Sequence, residues 1–582
     1  MGPLAEPRLV LTLARSPRLA HAWREQPRAY DRPVGDDPAG ARSSPHRPWQ
    51  MPVAAALGAL VLAALSLSPS LMPRAGMIQG IVTGLAAATG YGLGLLLAWI
   101  ARQLTGATGP SWGSARTWRV VLLAGGALLV LAAVLALAIQ NDVRDLMGTE
   151  HPSPVWYVQA TVVAVVVLML IVGCARLVRR VAGALTRVLS RHLPARASGA
   201  LGAMAGAAVT LGVAALVVNV SYGLVDHAFQ RVNSTIDPEL TQPSSRYVSA
   251  GPGSAVRWED LGSDGRAFIA GVPSRERLSE FRSDDLADPI RVYAGVDSSP
   301  DAQVRADLAV RDLEAFGAFE RSVLLVATST GTGLVDQLAI EPVELMYGGN
   351  TAVVSTQYSH LPSWLSFLVD QDRAREAGRV LFDAVYSRWS ALPQASRPTL
   401  LVFGESLGAY GAESAFTGVT DMVNKTDGAM FVGPPQQSPV HRAETAGRDP
   451  GSPQWQPVVD SGTTLRFGSL PTDLDTPGGT WPAPRLVYLQ NASDPVVWWS
   501  PELLLERPDW LAEPRGPDVS PHMRWWPILT FLQLSGDMMD STSVPMGHGH
   551  VYGSRQAAAW ARIAPPDGWT AADTARLESI YG

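Results

Sequence analysis

The sequence predicts an N-terminal bundle of apolar transmembrane helices followed by an α/β domain with a mostly parallel sheet. Three observations lead there. Residues 52–68, 78–100, 120–139, 155–173 and 200–220 contain no Asp, Glu, Lys or Arg, and each run approaches the roughly twenty residues that cross a hydrocarbon core. Beyond residue 254, short β-type runs alternate with segments of helical periodicity, the pattern of a parallel sheet covered on both faces. The composition agrees: 47% hydrophobic against 17% charged residues is apolar for a chain that is soluble throughout.

At 582 residues the chain exceeds one ordinary domain. The expected division is an Arg- and Pro-rich cytoplasmic tail (1–48), a transmembrane region of about five spans (49–220), a polar tether (221–254) and a catalytic domain (255–582). The net charge of −6 carries no call for nucleic acid. The single cysteine, Cys174, excludes a disulfide within the chain and a cysteine-built metal site. Arginines crowd the tail, the loop between the second and third runs (Arg102, Arg116, Arg119) and the loop between the fourth and fifth (Arg176, Arg179, Arg180, Arg187, Arg191, Arg196). The loop 141–154 instead carries Asp142, Asp145 and Glu150 against Arg144. By the positive-inside rule the tail and basic loops are cytoplasmic, and five spans leave everything after Val220 outside.

Within the second half, strands are expected at 290–294, 322–327, 351–357, 400–403, 428–432 and 485–490, with helices at 302–316 and 374–389. The strand at 400–403 runs straight into Gly404-Glu405-Ser406-Leu407-Gly408, and small helix-compatible residues follow. Strand, tight turn and helix are the setting of a nucleophile elbow, in which the glycines let the serine hydroxyl stand clear of the sheet.

A serine hydroxyl needs a base, and the base needs an orienting acid. In α/β-hydrolases these follow in the order Ser, acid, His. The run 485–490 leads into Asp494, well placed for the acid, with Asp537 and Asp540 in reserve. His522, His548 and His550 are later still. The last two lie in Gly547-His-Gly-His-Val-Tyr552, where His-x-His is also half of a metal site, but no matching ligand cluster stands elsewhere. His550 is preferred as base for the bulk of Val551-Tyr552 just beyond it, with His548 lining the site. Residues 327–333, Ala-Thr-Ser-Thr-Gly-Thr-Gly, follow an early strand and fit neither the Walker pattern nor G-x-G-x-x-G. Backbone amides at Thr330 and Gly331 are the expected oxyanion donors, together with that of Leu407. Trp498 and Trp499 beside the acid are candidates for a substrate pocket.

The whole chain after about residue 50 resembles the actinobacterial-type membrane α/β-hydrolases with a multi-span N-terminal region. The resemblance rests on Ser66-Leu-Ser-Pro-Ser-Leu-Met-Pro-Arg74, Thr328-Ser-Thr-Gly-Thr-Gly333, Gln357-Tyr-Ser-His-Leu-Pro-Ser-Trp364, the elbow, Ser493-Asp-Pro-Val-Val-Trp-Trp499 and the His-x-His loop. It implies an α/β-hydrolase fold and a serine hydrolase activity without a defined substrate, with Ser406, Asp494 and His550 as the triad. The expected function is hydrolysis or transfer of an acyl group, with an ester, such as an envelope lipid, and the bilayer as partners and no cofactor. A membrane protein whose hydrolase-like domain only binds is the alternative.

Overall fold

The computed structural model describes residues 52–105, 115–192, 194–282 and 285–581; the expected tail, 1–48, lies outside them. Five helices open the described chain: α1 (Val53–Leu65), α2 (Gly76–Thr105), α3 (Ala115–Leu146), α4 (Pro154–Leu189) and α5 (Ala195–Ser234). Four of them, α2 to α5, are long and apolar enough to cross a membrane. The expectation of five spans is corrected at α1. Its 13 residues reach about 20 Å, short of the roughly 30 Å of a hydrocarbon core. The chain leaves it at Ser66, before the Pro-containing loop 66–75. Small residues bring α1 against α2 backbone to backbone: a Cβ at Gly90 would stand 2.1 Å from Gly58 O, and one at Gly94 2.2 Å from Ala54 O.

The expected loose tether is also different. α5 continues as helix to Ser234, and Asn233 Oδ1 accepts a hydrogen bond from Gln357 Nε2 at 2.9 Å. Further on, Asp312 accepts from Ser249 Oγ, Ser254 Oγ and Ala255 N at 2.7, 2.7 and 2.6 Å. Side-chain bonds to remote partners fasten this polar segment, and periodicity carries no trace of them.

Seven parallel strands form one sheet in the order β1-β3-β2-β4-β5-β7-β6: β1 (Ile290–Ala294), β2 (Val323–Thr328), β3 (Thr351–Thr356), β4 (Thr399–Glu405), β5 (Gly428–Val432), β6 (Leu465–Gly468) and β7 (Arg485–Leu489). β2, β3 and β5 are buried from end to end, and β4 at all but its first and last residues, as expected where helices cover both faces. α6 (Ala302–Phe316), α8 (Gln371–Ser390) and α9 (Leu407–Glu413) cover one face; α7 (Gln337–Met346) and α11 (Arg555–Ile563) pack on the other. Sequence periodicity missed β6, a four-residue edge strand, Leu465-Arg-Phe-Gly468, paired with β7 and bridged at Arg466 to Val458. Its arginine breaks the apolar run, yet Arg466 is buried, with Nη1 donating to Leu474 O at 2.7 Å.

The loop between α1 and α2 is bolted to α10 (Leu529–Met539). Arg74 Nε lies 3.4 Å from Asp537 Oδ1, and both side chains are fully buried. Asp537 Oδ2 also accepts from Ser70 Oγ and from Leu71 N. Asp540 Oδ2 accepts from Ala75 N at 2.6 Å, and Gln533 Nε2 donates to Ser68 O at 3.1 Å. Arg74 O in turn accepts from Arg144 Nη2 and Trp156 Nε1, at 3.1 and 2.8 Å, which ties in α3 and α4. Asp537 and Asp540 thus serve this junction and not a catalytic histidine. Burial pushes the Asp537 carboxyl up to about 6, against the pull of the Arg74 charge, the Ser70 hydroxyl and the Leu71 amide. Removing one partner of such a buried pair costs about 3–5 kcal/mol. Arg74→Ala is therefore expected to lower the thermal unfolding midpoint in detergent and to expose residues 66–75 to protease. An unchanged midpoint and cleavage pattern would mean that the pair does not hold the two parts together.

Candidate active site

β4 ends at Glu405, and Ser406 turns the chain with φ 55° and ψ −125° before α9 begins. This is a strained conformation for a residue with a side chain. It is held from both sides: Ser406 N donates to Val432 O at 2.8 Å, and Ser406 O accepts from Ala409 N at 3.0 Å. The flanking glycines are required by contact. A Cβ at Gly404 would lie 2.4 Å from Gly408 O, and one at Gly408 would lie 2.2 Å from Thr328 O.

Asp494 is fully buried beyond β7. Its Oδ1 accepts from Val496 N at 2.8 Å, and its Oδ2 accepts from His550 Nδ1 at 2.7 Å and Tyr552 OH at 2.6 Å. Tyr552 therefore anchors the histidine loop by its hydroxyl as well as its bulk. Two further bonds lace the loop to the Asp494 turn: Gly549 N to Ser493 Oγ and Asn491 Nδ2 to Gly549 O, at 2.8 and 2.9 Å. His550 N donates to Ser541 O at 2.8 Å. The far nitrogen, His550 Nε2, is buried without a hydrogen-bond partner. Ser406 and His550 line one pocket of about 210 Å³ with Thr330, Leu334, Ser363, Glu405, Phe367, Val496, Met538 and Met539.

His548 points elsewhere: its Nδ1 lies 3.4 Å from Asp518 Oδ2, and it does not line this pocket. His522 is exposed. The two histidines of His-x-His thus face different carboxylates, and among the described residues no group of three or more His, Cys, Asp or Glu side chains could hold a metal ion.

The expected oxyanion donors divide. Leu407 N–H opens α9 and has no acceptor within its helix. The Thr330 amide, by contrast, donates to Leu334 O at 2.9 Å, and the Gly331 amide points to Ser363 Oγ at 3.4 Å. The Thr330 amide is thus engaged within its own loop and the Gly331 amide is turned to the Ser363 hydroxyl, so neither is free as the expected oxyanion donor; Thr330 remains in the pocket wall. The tryptophans divide too. Trp498 is 1% exposed, donates from Nε1 to Ala492 O at 2.8 Å and packs near Trp510. It belongs to the cluster that receives Leu71 and Met72 of the membrane-side loop, and not to a substrate pocket. Trp499 lies edge-on to Phe367, with ring centroids 5.4 Å apart, and lines the neighbouring cavity.

Sequence reasoning passed over Glu405, although it is the second residue of the elbow motif. It borders the pocket, and burial pushes its carboxyl up to about 8; Asp336 and Asp494 add to the rise and His550 opposes it.

The fold and the site define an α/β-hydrolase preceded by apolar helices. Residues 290–577 match the model of an alpha/beta-hydrolase family, and residues 67–273 match the model of that family's N-terminus. The chain belongs to this family. No curated protein and no solved structure gives a significant match.

The His550 imidazole is pushed down by burial, but the charge and hydrogen bond of Asp494, with the charge of Glu405, raise it above its ordinary 6.5. Ring titration followed by NMR is expected to show a midpoint above 6.5, falling in Asp494→Asn, where burial is no longer offset by the adjacent carboxylate. A midpoint unmoved by that substitution would break the pairing.

Proposed function

We propose that the protein is an integral-membrane serine hydrolase acting on an ester through an acyl-serine, with its hydrolase domain on the extracytoplasmic side. One observation carries the chemistry: the unpartnered Nε2 of a histidine whose Nδ1 is held by Asp494 shares a pocket with Ser406. Ser406 Oγ attacks the carbonyl carbon while His550 Nε2 takes its proton, and Asp494 holds the ring and stabilises its positive charge. The tetrahedral oxyanion is received by the Leu407 amide at the head of α9. Collapse breaks the bond to the alcohol, which leaves with the proton from His550. Water then attacks the acyl-serine by the same route in reverse.

Ser406→Ala is expected to lose covalent labelling by a fluorophosphonate while remaining folded in the membrane. Turnover of a short-chain aryl ester should fall by several orders of magnitude in His550→Ala and far less in His548→Ala. Full labelling of Ser406→Ala would remove Ser406 as nucleophile; the reverse order of the histidine variants would reassign the base.

The side of the membrane is argued from α2 to α5 without α1. Arg102, Arg116 and Arg119 flank the α2–α3 connection, and Arg176, Arg179, Arg180, Arg187 and Arg191 lie towards the α4–α5 connection, which makes both cytoplasmic. The start of α2, the α3–α4 loop and the end of α5 are then outside. The contacts support this: the loop 66–75, Met147 and the hydrolase domain pack in one cluster. A reporter fused after Gly582 is expected to be active only as an extracytoplasmic fusion; activity confined to the cytoplasm would invert the topology.

A further inference from the structure

Part of the pocket wall is built on the element that meets the N-terminal helices. α10 places Gly536 against the first turns of α2's apolar span, where a Cβ would stand 2.6 Å from Val82 Cγ2 and 3.3 Å from Ile78 Cγ2. Met538 and Met539 follow within one turn, roughly 4.5 Å further along the axis, and both line the pocket with Ser406. Leu334 and Met539 stay 47% and 48% exposed, so two apolar side chains of the pocket are left open to solvent, one of them on the helix that meets α2.

The volumes decide which part of a substrate goes where. The pocket holds about 210 Å³, below the roughly 300–1,000 Å³ of sites that enclose a whole ligand. On the other side of Phe367 lies a cavity of about 580 Å³ whose lining includes Gln436, Gln437, Arg442, Gln454 and Glu506. Phe367, Trp499, Pro501 and Leu503 share that lining, so the cavity has a mixed wall. A long chain bound at Ser406 has an apolar way out past Leu334 and Met539, and the helix that carries Met539 also meets α2 at Gly536.

We propose that the substrate is a long-chain acyl ester resident in the bilayer, which presents its carbonyl to Ser406 while the chain lies across Leu334 and Met539 and its far end stays in the hydrocarbon. This rests on the acyl-serine reading. Such a route spares the chain its exposure to water, which costs about 0.8 kcal/mol for each methylene.

The test uses the full-length protein in phosphatidylcholine vesicles. Turnover of a vesicle-borne palmitoyl aryl ester is compared with that of the soluble butyryl ester. Leu334→Asp and Met539→Asp are expected to lower the ratio of the two kcat/KM values about tenfold or more, whereas Leu334→Ile and Met539→Leu keep it. Independently of any variant, diluting the palmitoyl ester with inert lipid at constant bulk concentration should lower the rate in step with its surface fraction. A ratio unmoved by the Asp substitutions, or a rate set by bulk concentration alone, overturns the proposal. If butyryl turnover still depends on Ser406 in that case, the acyl-serine reading stands; if Ser406→Ala turns over both esters like wild type, that reading has failed.

Discussion

The buried pair of Arg74 and Asp537 is the contact on which the assembly depends. Two charges with no exposed side chain are retained only where neighbouring dipoles share the cost of desolvation. Here Ser70 and Leu71 donate to the carboxylate, Arg74 Nη1 donates to Gln533 O at 3.4 Å, and the Arg74 backbone carbonyl ties in Arg144 and Trp156. The pair fixes α10 on the membrane-side loop. α10 in turn carries Met538 and Met539, and Ser541 just beyond it receives the His550 amide. The same loop sends Met72 to Gly549, whose Cβ, if present, would sit 2.8 Å from Met72 Cε. The loop between α1 and α2 thus braces the elements that carry one wall of the candidate site.

The sheet supplies the other wall. In a parallel sheet of this kind, functional groups gather at the carboxyl ends of the strands. Ser406 follows β4, the 329–334 loop follows β2, and Asp494 follows β7. The strain at Ser406 is sustained because strand and helix on either side are packed too closely to relax, with Gly404 set against the Gly408 backbone and Gly408 against that of Thr328 and Ser329. The acid and the histidine are laced together by Tyr552, Ser493 and Asn491, which holds the imidazole before any ligand arrives. Such preorganisation is what a site stabilising developing charge requires.

Local pattern in the amino-acid sequence determined the class of this protein. Apolar runs without charge mark the long helices, because a bilayer admits little else. Six of the seven strands and the elbow were legible, since a buried parallel strand needs an unbroken apolar run and the turn needs its glycines. Only the tertiary structure decided the rest. It turned His550 to Asp494 and His548 to Asp518, although one residue separates them. It engaged the Thr330 amide with Leu334, put Trp498 in the core, shortened the first span to α1 and gave Asp537 to Arg74. The two histidines and Asp537 meet partners tens to hundreds of residues away, and spacing along the chain does not encode which remote group a side chain will meet.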